Sequence, residues 1–433
     1  MKDTKLPSGY AIEDLFSLRP GTIFQAFLQQ PKSFWFACGY LFFEYVRPQS
    51  VYPQIDFIPW PTLFLGLTLV WLIIDRQTQK DSSGIGTGLV LMSVVVLLSS
   101  ATAENPGLSV SKWPAFFNWI IIFFLIRQSV NNEIKLFLFI VLFFLANIKM
   151  TQHGFLSWAG RGFTFADWGV TGAPGWFQNS GEFGIQLCIF LPMLVGVTAT
   201  LWKQWSRTVR FVIIGVMITG ISSAVATSSR GALMGLGAAG IWMSIRSKYF
   251  VRVSVLICLI AGAVYLSIPA ESMSRFRVMG TDTTSLHRIE RWRHGWQAMQ
   301  QNPLFGVGFK NWESYYARHF RPEIPGPAMV HNIFVEAGTE LGFTGLGAFA
   351  WLIYVSYRAT RRVRAIADKE KDRFLIGLSY GLDASTVGLL VSASFVTVFY
   401  YPYFWIQCLL VSCLCSATAE KYAPKVPVTA RSR

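Results

Sequence analysis

The chain of 433 residues is 52% hydrophobic and only 14% charged, with 36 Phe, 16 Trp and 15 Tyr. A soluble core does not need so much apolar surface, whereas a polytopic membrane protein does. The formal net charge of +15 raises nucleic acid as a partner, but that requires basic residues gathered on one surface or in a tail; here they punctuate apolar runs, with no zinc-finger spacing or aromatic RNA-binding motif, and nucleic acid is set aside.

From the N-terminus, Met1 to Arg19 is interrupted by Glu13 and Asp14 and has no small-residue cleavage site after an apolar core. Insertion is therefore expected through the first spanning helix rather than a signal peptide. About twelve apolar windows of spanning length follow, at 31–47, 59–75, 84–103, 111–127, 132–149, 180–201, 208–227, 229–246, 251–269, 331–357, 374–397 and 401–419. In a soluble protein a dozen such runs would leave nothing to face water. The expectation is an all-α polytopic membrane protein of about 12 transmembrane helices, residues 1–433 forming one membrane domain. Cys38, Cys188, Cys258, Cys408, Cys413 and Cys415 lie within or at the edge of these windows, where buried thiols are expected rather than a disulfide framework.

The even-numbered connections carry the cations: Arg76 and Lys80; Arg127 and Lys135; Lys203, Arg207 and Arg210; Arg246, Lys248 and Arg252; and Arg358 through Arg373. The short odd-numbered ones are nearly bare of them. By the positive-inside rule both termini are cytoplasmic and the odd loops face outward. Two outer loops are long. Residues 150–179 are rich in glycine and aromatic rings, including Arg161-Gly162, Trp168 and Pro174-Gly175-Trp176. Residues 270–330 hold eight Lys or Arg against five Asp or Glu, an excess that a negatively charged substrate would explain, although a folded subdomain can also carry a mixed charged face.

Within the second long loop, Leu286, Ile289, Trp292, Trp296 and Met299 recur at spacings of three and four. They predict an amphipathic helix at the membrane interface, with Arg288, Arg291 and Arg293 on its polar flanks. Asn302-Pro303 ends it, and Phe305-Gly306-Val307-Gly308 predicts a tight turn with close backbone approach. Those glycines are no dinucleotide fingerprint, since neither a preceding strand nor a third glycine is in place. His331 opens the tenth window after the Pro325-Gly326-Pro327 bend. There a histidine titrating near neutrality could take a proton from a sugar hydroxyl, although an isolated histidine is more often an interfacial residue bonded to a carbonyl. Arg230, in Ser228-Ser229-Arg230-Gly231, sits at an outer junction of two windows, well placed for a lipid phosphate or pyrophosphate.

These residues resemble motifs of the O-antigen ligase and Wzy-type polymerase superfamily. Ser229-Arg230-Gly231 matches its arginine motif at an outer helix end. Arg288, Trp292, Pro303 and Gly306-Val307-Gly308 match an Arg, Trp, Pro, Gly-x-Gly pattern; His331-Asn332 with Glu336, Gly338, Glu340 and Gly342 matches its histidine motif. The resemblance spans residues 161–354. It implies a GT-C-like helical membrane domain in the bacterial inner membrane, whose long periplasmic loop contains amphipathic helices. It implies a donor glycan on undecaprenyl pyrophosphate, a lipid A-core or glycan acceptor, and His331, Arg288 and Arg230 as catalytic residues. Membrane lipids, and proteins that set polysaccharide chain length or assemble it, are the implied partners.

Arg161, Arg291, Arg293, Lys310 and Trp292 are candidates for holding substrate. No cofactor is expected, because guanidinium forks can meet the developing negative charge of the leaving group without a metal. If a divalent ion is needed, Asp167, Glu182 and Glu313 are the carboxylates to examine. No outer carboxylate stands out as a covalent nucleophile, so direct attack should invert the anomeric centre. The leading expectation is an O-antigen ligase, with a Wzy-type polymerase and a protein O-oligosaccharyltransferase as alternatives on the same residues. A transporter or flippase would share the spans, yet it calls for inverted repeats or midplane charges. No internal repeat is evident, and Glu44 and Asp383 are the ionisable residues noted within windows, for proton coupling or for a hydrogen-bonded structural role.

Overall fold

A computed structural model describes residues 11–75, 79, 81–165, 169–174, 177–267, 283–320 and 329–422. Among these residues there is no strand, and thirteen helices reach ten residues or more. They are α1 (Lys32–Tyr45), α2 (Trp60–Ile74), α3 (Ile85–Ala101), α4 (Pro114–Ser129), α5 (Glu133–Gly160), α6 (Ser180–Leu201), α7 (Arg207–Ala226), α8 (Arg230–Arg246), α9 (Phe250–Ser267), α10 (Thr283–Gln301), α11 (Ile333–Glu370), α12 (Arg373–Ala393) and α13 (Pro402–Tyr422). Each of the twelve apolar windows falls on one of them, and α10 is the helix expected in the second long loop. The bends at Pro325–Pro327 and Gly175-Trp176, together with Arg76, Lys80, Asp167 and Trp168, lie outside the described residues.

Among the described residues, six helical segments are long and apolar enough to cross a membrane: α4 with the short helix Pro106–Lys112 before it, α5, α6, α7, α12 and α13. The apolar stretches of α2, α3 and α9 are shorter. Several of these helices start where their sequence supplies a cap. The side chains of Asn132, Asn179, Ser206 and Ser229 accept from first-turn N–H groups of α5, α6, α7 and α8, satisfying donors that have no partner inside a helix. α13 is the most enclosed of the six, with 94% of its apolar window buried, so its Ser, Cys and Ala residues face protein rather than lipid. α8 and α12 pack closely because Gly235 faces Gly388, where a Cβ would lie 2.6 Å from the Gly388 carbonyl oxygen. That small-residue contact brings the start of α8 against the end of α12.

Ion pairs tie the other ends of the helices together. Arg127 donates to the Gln79 carbonyl at 3.1 Å and lies 3.7 Å from Asp81. Lys421 bridges Glu133 and Asp372, and Arg246 donates to the Tyr357 hydroxyl at 3.0 Å. Asp383 pairs with Arg364 at 2.7 Å within the helical bundle.

Three boundaries differ from the sequence expectation. α5 continues to Gly160, eleven residues into the first long loop, because Met150 through Gly160 keeps an apolar face and contains no proline. α11 runs to Glu370; at about 1.5 Å per residue it is far longer than a bilayer core, so its arginine-rich second half extends past the apolar layer. The same helix is broken at Gly342, where φ is +70°.

That break is filled by the turn that follows α10. Phe343 N–H donates to the Pro303 carbonyl at 2.8 Å, while Val307 N–H donates to the Thr339 carbonyl at 2.8 Å. Thr344 N–H turns to the Leu304 carbonyl, and Ser99 Oγ donates to the Glu340 carbonyl at 2.7 Å. Two hydrogen bonds that a continuous helix would make are thus replaced, and all four backbone groups remain paired. The expected close approach of the Gly306 turn is to α11 itself.

Candidate active site

Three helix N-termini meet at the segment joining α12 to α13. Gly181, in the first turn of α6, lies against Val396, and Gly231, in the first turn of α8, lies against Phe395. Ahead of α11, the His331 N–H donates to Thr397 Oγ1 at 2.8 Å. The amide dipoles of α6, α8 and α11 therefore point their positive ends toward one region, an arrangement suited to an anion. The connection between α5 and α6 joins it at Val170, whose N–H donates to the Ala226 carbonyl at the end of α7.

Arg230 is the first residue of α8. It follows Ser228, which adopts a left-handed φ of +51°, and Ser229, whose Oγ accepts from Ala232 N–H at 3.3 Å. His331 also has a left-handed φ, +49°, and Asn332 after it caps α11 by accepting from the N–H groups of Phe334 and Val335. The strained backbone and the Thr397 bond fix the imidazole's origin. Burial, then the positive charges of Arg288 and Arg291, push His331 down to about 4. This corrects the expectation of a near-neutral titration: the sequence placed the histidine at a wet helix end, whereas the fold half-buries it beside two guanidiniums.

Those guanidiniums come from α10, which lies across the first turns of α11 with Gly295 against Val335 and Met299 against Gly338. Trp292 Nε1–H donates to the Val330 carbonyl at 2.8 Å, clamping α10 to the residue before His331. Arg288 is half-buried. Arg291 is only 1% exposed, with Nη1 2.6 Å from Glu290 Oε2 and its guanidinium over the Tyr316 ring. The inward face of α10 thus carries Glu290, Arg291 and His294, while Leu286, Ile289 and Trp296 of the apolar stripe are exposed. The polar residues turn inward because they have partners there: His294 stacks on Phe320 and lies 3.3 Å from the Tyr316 hydroxyl. Arg293 is exposed on α10 and Arg161 is exposed just after α5.

Lys310 belongs to a buried network beneath this region. Its N–H donates to Glu340 Oε2 at 2.9 Å, and its ammonium lies 4.0 Å from Glu336 Oε1 and 4.1 Å from the Tyr400 ring centroid. Tyr400 donates to Glu340 at 2.7 Å, and Phe399 N–H donates to Glu336 at 2.9 Å. Burial and the charges of Glu340 and Glu336 push the Tyr400 phenol well above its usual range, keeping it a donor. Two carboxylates of α11 thereby hold the segment whose Thr397 holds His331. In the sequence Glu336 and Glu340 stand out only as motif positions. Their signal was two acids four residues apart in an apolar window, hence on one helix face. Thr397 and Tyr400 had no comparable signal. Glu182 is in the first turn of α6, and Glu313 is exposed on the short helix Trp312–His319.

A family model described as O-antigen ligase matches residues 215–350, from the middle of α7 into α11, and so contains Arg230, Arg288, Lys310 and His331. No curated protein matches the chain. Helical throughout its described secondary structure, with six segments long and apolar enough to cross a membrane, the chain is similar to the O-antigen ligase family over residues 215–350.

Proposed function

We propose that the protein is a membrane glycosyltransferase that moves a glycan from undecaprenyl pyrophosphate to a lipid A-core acceptor on the periplasmic face of the inner membrane, both termini being cytoplasmic. The observation that carries this reading is the meeting of three helix N-termini, Arg230, and the pair Arg288 and His331 around residues 395–397. The family match supports ligase or polymerase chemistry in general.

In this reading the acceptor hydroxyl attacks the anomeric carbon as the bond from that carbon to the pyrophosphate oxygen breaks. The new glycosidic bond forms with inversion, the hydroxyl proton passes to His331, and undecaprenyl pyrophosphate leaves with the bonding electron pair. Arg230 and Arg288 offer fixed forks for the charge that develops on the leaving group, the part a divalent ion plays in other transferases. Substrate also tunes the base. An imidazole held near 4 is neutral at pH 7 but weakly basic, and a bound pyrophosphate offsets the cations that depress it. His331 is therefore a stronger base in the donor complex than in the free enzyme.

Lipid-linked glycans extracted from a deletion strain test the assignment. A ligase predicts long uncapped chains left on undecaprenyl pyrophosphate. Accumulation of single repeat units instead would make the protein a polymerase, and unchanged glycolipids would overturn both.

A further inference from the structure

A cleft of about 660 Å³ lies between α1, α2 and α4, and Lys310, Tyr400 and Tyr401 close one end of it. Its lining is graded. Glu44 at the end of α1, Thr62 in the first turn of α2, and Asn118 in α4 gather near Lys310 and the two tyrosines, with Trp119 beside them. Trp119 Nε1–H donates to the Tyr400 carbonyl at 2.9 Å, fixing that end of the cleft. Farther along the same helices the lining becomes Leu65, Gly66, Leu69, Ile121, Ile122 and Leu125. Leu69 and Leu125 lie nine and eleven residues from the starts of their helices, so the cleft reaches about 13 to 16 Å into the apolar layer. Leu69 and Ile121 are 46% and 53% exposed, which leaves the deep end open sideways to lipid.

We propose that this cleft binds an amphiphile with an uncharged, hydroxyl-rich head at the Lys310 end and a hydrocarbon chain along α2 and α4. It deepens the transferase reading, on which it rests, by giving the sugar end of the acceptor a seat beside the segment that holds His331. The volume is that of a small-molecule site. The head end has no spare positive charge: Lys310 already faces Glu336 and Glu340, and Glu44 adds a further carboxylate. A phosphate would meet these acids, whereas sugar hydroxyls can donate to them and stack against Trp119 and Tyr401. Tyr40 Oη, on the cleft wall and 2% exposed, has no hydrogen-bond partner among the described residues; buried hydroxyls ordinarily have one, and a ligand hydroxyl supplies it. The tyrosine and lysine at this end belong to the network that holds Thr397 and His331, so an occupied head end lies one short segment from the proposed base.

The test is photolabelling of the purified full-length protein in nanodiscs with dodecyl maltoside carrying a diazirine at the chain end, followed by peptide mapping. Labels are expected on residues 65–69 and 121–125, at the deep end. Gly66→Leu puts a side chain into space with nothing within 4 Å and should cut labelling at least tenfold with an unchanged thermal midpoint; Tyr40→Phe should weaken it severalfold. Labelling elsewhere, or full labelling of Gly66→Leu, would overturn the site. Competition by dodecyl phosphate as strong as by dodecyl maltoside would overturn the sugar head. Labelling needs neither donor nor turnover: a protein that labels as expected but transfers no glycan retains the cleft and loses the transferase reading, and one that transfers without labelling does the reverse.

Discussion

Replacing Gly306 with alanine probes the joint between the loop of Arg288 and the helix that follows His331. At its φ of +68°, a Cβ would stand 2.5 Å from the Thr339 carbonyl oxygen, 2.6 Å from the Glu340 carbonyl carbon and 2.7 Å from Gly342 N. All three contacts are backbone, so no side-chain rotation relieves them, and the turn must retreat by roughly 1 Å to reach van der Waals distance. The left-handed conformation costs a residue with a Cβ about 1–2 kcal/mol, and forced repacking costs about 1–3 kcal/mol more. The sum, about 2–5 kcal/mol, is a large part of the stability of an ordinary domain. The Val307 to Thr339 and Phe343 to Pro303 hydrogen bonds should be lost together. The expected result is a clear fall in the thermal midpoint of the purified protein and a larger fall in glycan transfer at equal membrane abundance. Gly215→Ala, at a position with nothing within 4 Å, is the control. A Gly306→Ala protein with the wild-type midpoint and activity would refute the argument.

For His331, a depressed pKa means that the basic form persists as pH falls until about 4. The acid limb of kcat/KM should therefore lie near 4, and that of kcat higher, because bound pyrophosphate offsets the arginines; a common limb at 6.5 would contradict both statements. His331→Ala should abolish transfer while sparing donor binding, measured by retention of lipid-linked glycan. Arg230→Lys keeps charge but loses the fork, so transfer should fall more than about tenfold, and Arg288→Ala should do at least as much; wild-type rates would remove either residue from the leaving-group role. Full activity of purified protein in excess chelator is expected, and loss restored by Mg²⁺ or Mn²⁺ would reassign the charge-stabilising task to a metal. Lys310→Met leaves Glu336 and Glu340 buried without their cation and should cost on the order of 3 kcal/mol. Adding Glu336→Gln should recover part of that loss, and strict additivity in thermal denaturation would deny the coupling.

The helices were legible because an apolar run of spanning length carries its own signal, and the Gly306 turn because glycine marks a backbone position no other residue fills easily. What escaped depended on long-range contacts. Nothing local to Arg291 indicates that it turns inward toward Glu290 and Tyr316, since its place on α10 suits either flank of the stripe. The basicity of His331 was misjudged for the same reason: its neighbours in sequence are neutral, and the arginines that depress it arrive from α10. Thr397 holds the histidine backbone from 66 residues away, a partnership with no local pattern. Gly342 was quoted as part of a motif, but the break it permits follows from a loop 36 residues earlier docking into the helix.

The outward face of α10 has a consequence for how the membrane itself enters the chemistry. Leu286, Ile289 and Trp296 are 42%, 51% and 51% exposed on the helix that carries Arg288, and such a stripe rests in the headgroup layer. Arg230 is instead fixed to the helical bundle through α8. α10 is itself clamped to α11 through Trp292, Gly295 and Met299, so the lipid surface bears on Arg288 as a load on that clamp. Turnover in nanodiscs should pass through an optimum as acyl length is varied, highest where the lipid surface meets the stripe without straining that clamp.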